Sequence, residues 1–142
     1  MSADFCEAFL ENNTAAIEEG FHSYLKKTIS IRDTFVRKEV KENFYHGILL
    51  GIFGHMDNWH VLSDAEAGDG YCDILIEDED REKGAVIELK YAENACFDAA
   101  CSSALRQIQE KNYTQRLTDD GMKTVYQYGI ACYKKRCRVV SG

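Results

Sequence analysis

Apolar residues recur along this chain with two different periods, and the switch between them divides it. From residue 3 to residue 29, Phe5, Phe9, Leu10, Ile17, Phe21 and Leu25 lie roughly on one helical stripe, broken near Asn12-Asn13-Thr14. Thr14, with Glu18 nearby, restarts the helix. A second long helix is predicted from the Ser30–Arg32 region to about Gly54, on the three-to-four spacing of Phe35-Val36, Val40, Phe44, Ile48-Leu49 and Ile52-Phe53. Gly47 and Gly51, four apart, leave a smooth groove on it. The pattern then shortens to that of strands: Trp59 to Glu66, a tight turn at Gly68-Asp69-Gly70, Tyr71 to Glu77, and Ala85 to Tyr91. A helix is predicted from about Ala95 to Leu117, with Ala99, Ala100, Ser103 and Ala104 small enough to seat it closely on a sheet. Thr124 to Tyr133 and Arg136 to Val140 complete the series as strands. The order α-α-β-β-β-α-β-β predicts an α/β sandwich.

Three charges break the apolar strands: Asp73, Glu88 and Lys90. Burying a charge without a partner is costly, so their position needs a reason. The polar run Asp78-Glu79-Asp80-Arg81-Glu82-Lys83-Gly84 reads as a hairpin loop. Centring the hairpin on it sets Asp73 across from Glu88, and side-chain alternation puts Asp73, Glu88 and Lys90 on one face. Ile74, Ile76, Ile87 and Leu89 on one side and Leu75 and Val86 on the other make both faces apolar, as in central strands. Facing carboxylates repel unless a cation lies between them, and oxygen donors suit Mg²⁺ or Mn²⁺. Lys90, one step along, is placed to steady a hydroxide or a developing phosphate charge. Glu42 lies on a helical stripe with Tyr45, His46, Leu49 and Ile52, at the border of the apolar face, where it can point over the sheet. His46 stands one turn on from it, as a support for Glu42, as a contact for substrate phosphate, or as a packed or solvated histidine.

At 142 residues the chain is long enough for one substantial core. A formal charge of −7 argues against broad, non-specific adhesion to nucleic acid. The bases are nevertheless uneven: Lys26-Lys27, Arg32, Arg37-Lys38 and Lys41 precede the acidic stretch from Asp57 to Asp80, and Lys134-Lys135-Arg136 and Arg138 close the chain. The opening residues show no signal peptide, which makes the cytoplasm the expected location. Six cysteines then read as reduced thiols. Cys96-x4-Cys101 and Cys132-x4-Cys137 leave a structural zinc site as a competing idea. Cys72 is expected to point away from the carboxylates, into the core.

Taken in order, Glu42-Asn-Phe-Tyr-His-Gly, Gly68-Asp-Gly-Tyr-Cys-Asp73, Val-Ile-Glu88-Leu-Lys90, Ala104-Leu-Arg-Gln107-Ile-Gln-Glu-Lys111-Asn-Tyr113 and Tyr128-Gly-Ile-Ala resemble the PD-(D/E)XK nuclease superfamily. The likeness is to the bacterial branch in which such a domain follows an AAA-ATPase-like domain. The resemblance implies a restriction-endonuclease-like αβββαβ core, a central mixed sheet flanked by helices. It also implies a division into a helical extension, 1–34, and a nuclease-like domain, 35–142. It further implies Mg²⁺- or Mn²⁺-dependent hydrolysis of nucleic acid, DNA before RNA. Asp73 and Glu88 would be metal ligands with Glu42 as the helix carboxylate, Lys90 would serve the nucleophile, and Gln107 would be a polar contributor near the site. An AAA-ATPase-like partner in cis or trans and a homodimer are further implications. The rival class is a catalytically silent module that binds nucleic acid or a protein.

Overall fold

The computed structural model describes residues 3–28 and 38–142. Helices α1 (Ala3–Ala8), α2 (Thr14–Thr28) and α3 (Lys38–Phe53) precede strands β1 (His60–Ala67), β2 (Gly70–Asp78) and β3 (Lys83–Tyr91). A short 3₁₀ turn, Glu93–Ala95, leads into α4 (Phe97–Glu110) and α5 (Thr114–Asp119), followed by β4 (Thr124–Tyr133) and β5 (Arg136–Ser141). The expected start of the third helix and its Phe35-Val36 pair lie outside the described residues. The restart at Thr14 has a clear cause: Asn13 Oδ1 accepts the Ala16 N–H at 3.1 Å, an N-cap.

The sheet has five strands in chain order, antiparallel throughout except for the parallel pair β3–β4. Only that parallel pair needs a crossover, and α4–α5 supply it. With α3 before the first three strands, the order is the αβββαβ core expected, in a mixed sheet flanked by helices. Both faces are covered. On one, Phe9 just after α1 and Ile17, Phe21, Leu25, Leu49 and Phe53 from α2 and α3 pack on Ile74, Ile76, Ile87, Ile130 and Tyr128 in a continuous core. The α1 segment is tied down by the Tyr128 hydroxyl, which donates to the Phe9 carbonyl at 2.7 Å. On the other face, Leu75, Val86 and Cys72 meet Ile108, Tyr113, Leu117 and Met122.

Two boundaries differ from expectation. The helix predicted from Ala95 to Leu117 is two helices, interrupted where Asn112 takes φ 53°. The helical period continues across the break, so it hides the kink. The hairpin loop is also shorter than its polar composition suggests, because Asp78 and Lys83 already pair as strand residues. Asp78 is fully buried, and its carboxylate takes the Arg81 Nε–H at 2.8 Å and the Asn58 side-chain amide at 3.2 Å. A charged residue can end a buried strand when its oxygens are satisfied this way. Of the small residues on α4, Ala104 meets the sheet: a Cβ on Gly129 would lie 3.1 Å from its methyl and 2.9 Å from the Cys101 carbonyl. Ala99 and Ser103 face solvent. No described helix is long and apolar enough to cross a membrane.

Candidate functional site

The β2–β3 ladder runs from Asp78↔Lys83 to Ile74↔Ile87. One step further the same register sets Asp73 opposite Glu88, and there side chains replace the backbone carbonyls. The Asp73 N–H donates to Glu88 Oε1 at 2.8 Å, and the Leu89 N–H donates to Asp73 Oδ2 at 2.8 Å. Each carboxylate therefore holds an N–H of the opposite strand. Glu88 is 1% exposed, and burial, followed by the adjacent Asp73 charge, pushes its carboxyl up to about 8. A cation would offset that cost directly, since opposite charge favours the ionised form.

Alternation alone does not place Asp73. On β1, Ser63 pairs with Ile74 and Ala65 with Cys72, while Asp64 and Asp73 between them are unpaired. Asp64 sits at φ 49°, a left-handed conformation that Asp tolerates better than most residues. Ser63 and Ile74 belong to the α3 side, whereas Ala65 and Cys72 pack with the α4–α5 cluster. The faces of both strands thus exchange at one step without any loss of register. Cys72, expected in the core, is fully buried in one cluster with Leu75 and Val86, where burial first and Glu88 next push its thiol up to about 12.

That inversion brings Asp64 and Asp73 beneath α3. Ligand atoms of His46, Asp64 and Asp73 all lie within 4.8 Å of one another. His46 is buried and its Nε2 is 3.0 Å from Ser63 Oγ. Imidazole and carboxylate oxygens are a donor set for a divalent cation. His46 is thus packed in the core and also within reach of both carboxylates. Asp64 was not foreseen, because in Ser63-Asp64-Ala65-Glu66-Ala67 it reads as the solvent side of an alternating strand. Its one sequence signal is that Asp is among the few residues that accept a positive φ.

Glu42 reaches the same end of the sheet by another route: its Oε1 accepts the Tyr91 N–H at 3.2 Å. Lys90 Nζ donates to Gln107 Oε1 at 2.7 Å, and Gln107 Nε2 donates to the Tyr113 hydroxyl at 3.0 Å. Gln107 thereby orients the lysine, and Tyr113, an unforeseen member of the chain, orients Gln107. The α4–α5 junction also pins the β1–β2 turn. The Asp69 N–H donates to the Lys111 carbonyl at 2.8 Å, and a Cβ on Gly68, at φ 53°, would fall 2.2 Å from the Asn112 carbonyl. Only glycine fits there.

The six cysteines are free, and all but Cys96 are buried. Among the described residues no metal-binding group includes a cysteine, so the zinc idea gains nothing from the fold. Gly47 and Gly51 line an open groove with Tyr24, Ile48, Ile52 and His55, and among the described residues no other element fills it.

No curated protein and no solved structure matches the chain. The family model of the PD-(D/E)XK nuclease superfamily does match, over residues 40–142. That span covers more than half of the chain and includes the carboxylates of β2 and β3, Lys90 and Gln107, and the chain belongs to the PD-(D/E)XK nuclease superfamily.

Proposed function

We propose that this protein is a metal-dependent nuclease that hydrolyses phosphodiester bonds of nucleic acid, DNA being the expected substrate. The observation that carries this reading is the reciprocal pair of half-buried Asp73 and buried Glu88, linked through backbone N–H groups, with Lys90 two residues from Glu88 on the same strand. Asp73 and Glu88 would hold Mg²⁺ or Mn²⁺, with Glu42 alongside and His46 and Asp64 extending the donor set from Asp73. A divalent cation bound there supplies neutralisation of phosphate charge and a more acidic water. The Lys90 ammonium, aimed by Gln107, orients the attacking water and stabilises charge as it develops. Gln107 itself acts by positioning. Association with an AAA-ATPase-like domain, division at residue 34, and pairing of two copies to cut both strands rest on the resemblance alone.

The test is cleavage of labelled duplex DNA, single-stranded DNA and RNA in Mg²⁺, Mn²⁺ or EDTA, beside Asp73→Ala and Lys90→Ala. Metal-dependent cutting by the wild type that both variants lose supports the reading. Equal cutting by all three proteins places the activity elsewhere. Binding without turnover in either metal identifies a catalytically silent module.

A further inference from the structure

The strand directions bring an ordered set of residues to one end of the sheet. From β2 inward and across come Tyr71 and Asp73, then Glu88, Lys90 and Tyr91 on β3, Tyr133 and Lys134 at the end of β4, and Arg136 opening β5. At roughly 4.8 Å between strands, Tyr71 and Arg136 are three spacings apart, about 14 Å. Of the candidate metal carboxylates, Asp73 is on the strand of Tyr71 and Glu88 is on the next strand toward Arg136.

One flank is cationic in a protein whose formal charge is −7. Lys41 Nζ lies 4.5 Å from the Tyr91 ring centroid, Lys134 Nζ 5.3 Å from that of Tyr133, and the Arg136 guanidinium 5.3 Å from that of Phe97. Every cation–ring contact among the described residues is at this end of the sheet. Rings hold a cation in place without neutralising it. Among the described ion pairs, Arg138 with Asp98 is the one that involves this group; Lys41, Lys134, Lys135 and Arg136 appear in none.

The other flank is different. Tyr71 is 66% exposed, the one exposed large apolar side chain among the described residues. It precedes Asp73 by two residues, about 6.6 Å along the strand. Its backbone is held, because the adjoining turn is bonded to Lys111 and seated against Asn112. Glu66 is its cross-strand partner, and Asp64 and Asp69 are close by in sequence. Those carboxylates disfavour a phosphate there but not the face of a base. A duplex would lay its second backbone on this acidic hairpin, whereas a single strand need not.

We propose that this end of the sheet binds one strand of nucleic acid, with its phosphates over Lys41, Lys134, Lys135 and Arg136 and an unpaired base stacked on Tyr71. This deepens the nuclease reading and rests on it for the position of the scissile phosphate. The test is fluorescence anisotropy of the full chain in EDTA with labelled single-stranded DNA, RNA of the same sequence and the DNA duplex, across a salt series. Single strands bind more tightly than duplex, and the tighter of DNA and RNA identifies the sugar. Lys134→Gln with Lys135→Gln lowers the slope of log affinity against log salt by about 1.4, at roughly 0.7 per phosphate contact. Tyr71→Ala weakens single-strand binding about tenfold, in the range for loss of a stacked base, while Tyr71→Phe does not. Because Tyr71 is exposed and its Phe variant keeps the ring, misfolding is separable from loss of stacking. A preference for duplex, an unchanged salt slope, or equal binding by the Tyr71 variants overturns the proposal. Binding is read without metal, so a protein that binds in this way but never cuts refutes hydrolysis and leaves the strand track standing. Cutting without these binding effects does the reverse.

Discussion

The Asp73–Glu88 pair gives the metal-free protein a pH dependence that a single substitution should erase. Glu88 is an acid whose folded value, about 8, lies above its ordinary 4.5. The folded state therefore holds the proton more tightly than the unfolded state, and the stabilisation is complete below pH 4.5. It is lost as pH rises toward 8. At about 1.36 kcal/mol per pH unit the full interval would approach 5 kcal/mol. Glu88 sits against a second carboxylate, so the loss is on the order of 2–5 kcal/mol. At roughly 3 °C per kcal/mol for a domain of this size, that is a fall in Tm of about 6–15 °C. Glu88→Gln cannot ionise, yet its amide oxygen can still accept the Asp73 N–H. In EDTA the variant should thus escape this fall and melt above the wild type at pH 8. Mn²⁺ or Mg²⁺ should narrow that gap, because a bound cation favours ionised carboxylates and raises the stability of the wild type by about 2.7 kcal/mol at a hundred times Kd. The assay is thermal denaturation of both proteins from pH 5 to 8.5, with EDTA and with metal. Parallel curves in EDTA, or equal stabilisation of both proteins by metal, would refute the argument.

His46→Ala and Asp64→Asn should each weaken Mn²⁺ binding at least about tenfold, a loss that even outer-shell partners produce, as read by calorimetry or the Mn²⁺ spin signal. Unchanged affinity in both would remove them from the donor set. Tyr113→Phe should lower cleavage less than Lys90→Ala does, because it frees Gln107 without removing the ammonium; equal losses would mean that Tyr113 does more than orient. Gly68→Ala should cost roughly 2 kcal/mol or more in denaturant unfolding, since its φ and the Asn112 carbonyl both exclude a Cβ. A neutral result would show that the turn can move off the α4–α5 junction.

What the sequence determined by itself was the part encoded by local periodicity. The apolar alternation around Ile74, Ile76, Ile87 and Leu89 defined two central strands, and the charged turn set their register, so Asp73 and Glu88 were legible as neighbours. Lys90 followed from its spacing to Glu88, and the stripe on α3 put Glu42 and His46 at its border. The tertiary structure decided what alternation cannot express. Asp64 joins His46 and Asp73 only because the backbone turns left-handed at Asp64 and both strands exchange faces there. The break at Asn112 lies inside a continuous helical pattern, yet it places Tyr113 behind Gln107 and clamps the hairpin that carries Tyr71. Side-chain periods record which face of an element is apolar. They do not record where a carboxylate takes an N–H from the next strand or where a backbone departs from its regular dihedrals, because those outcomes are settled by packing between elements far apart in the chain.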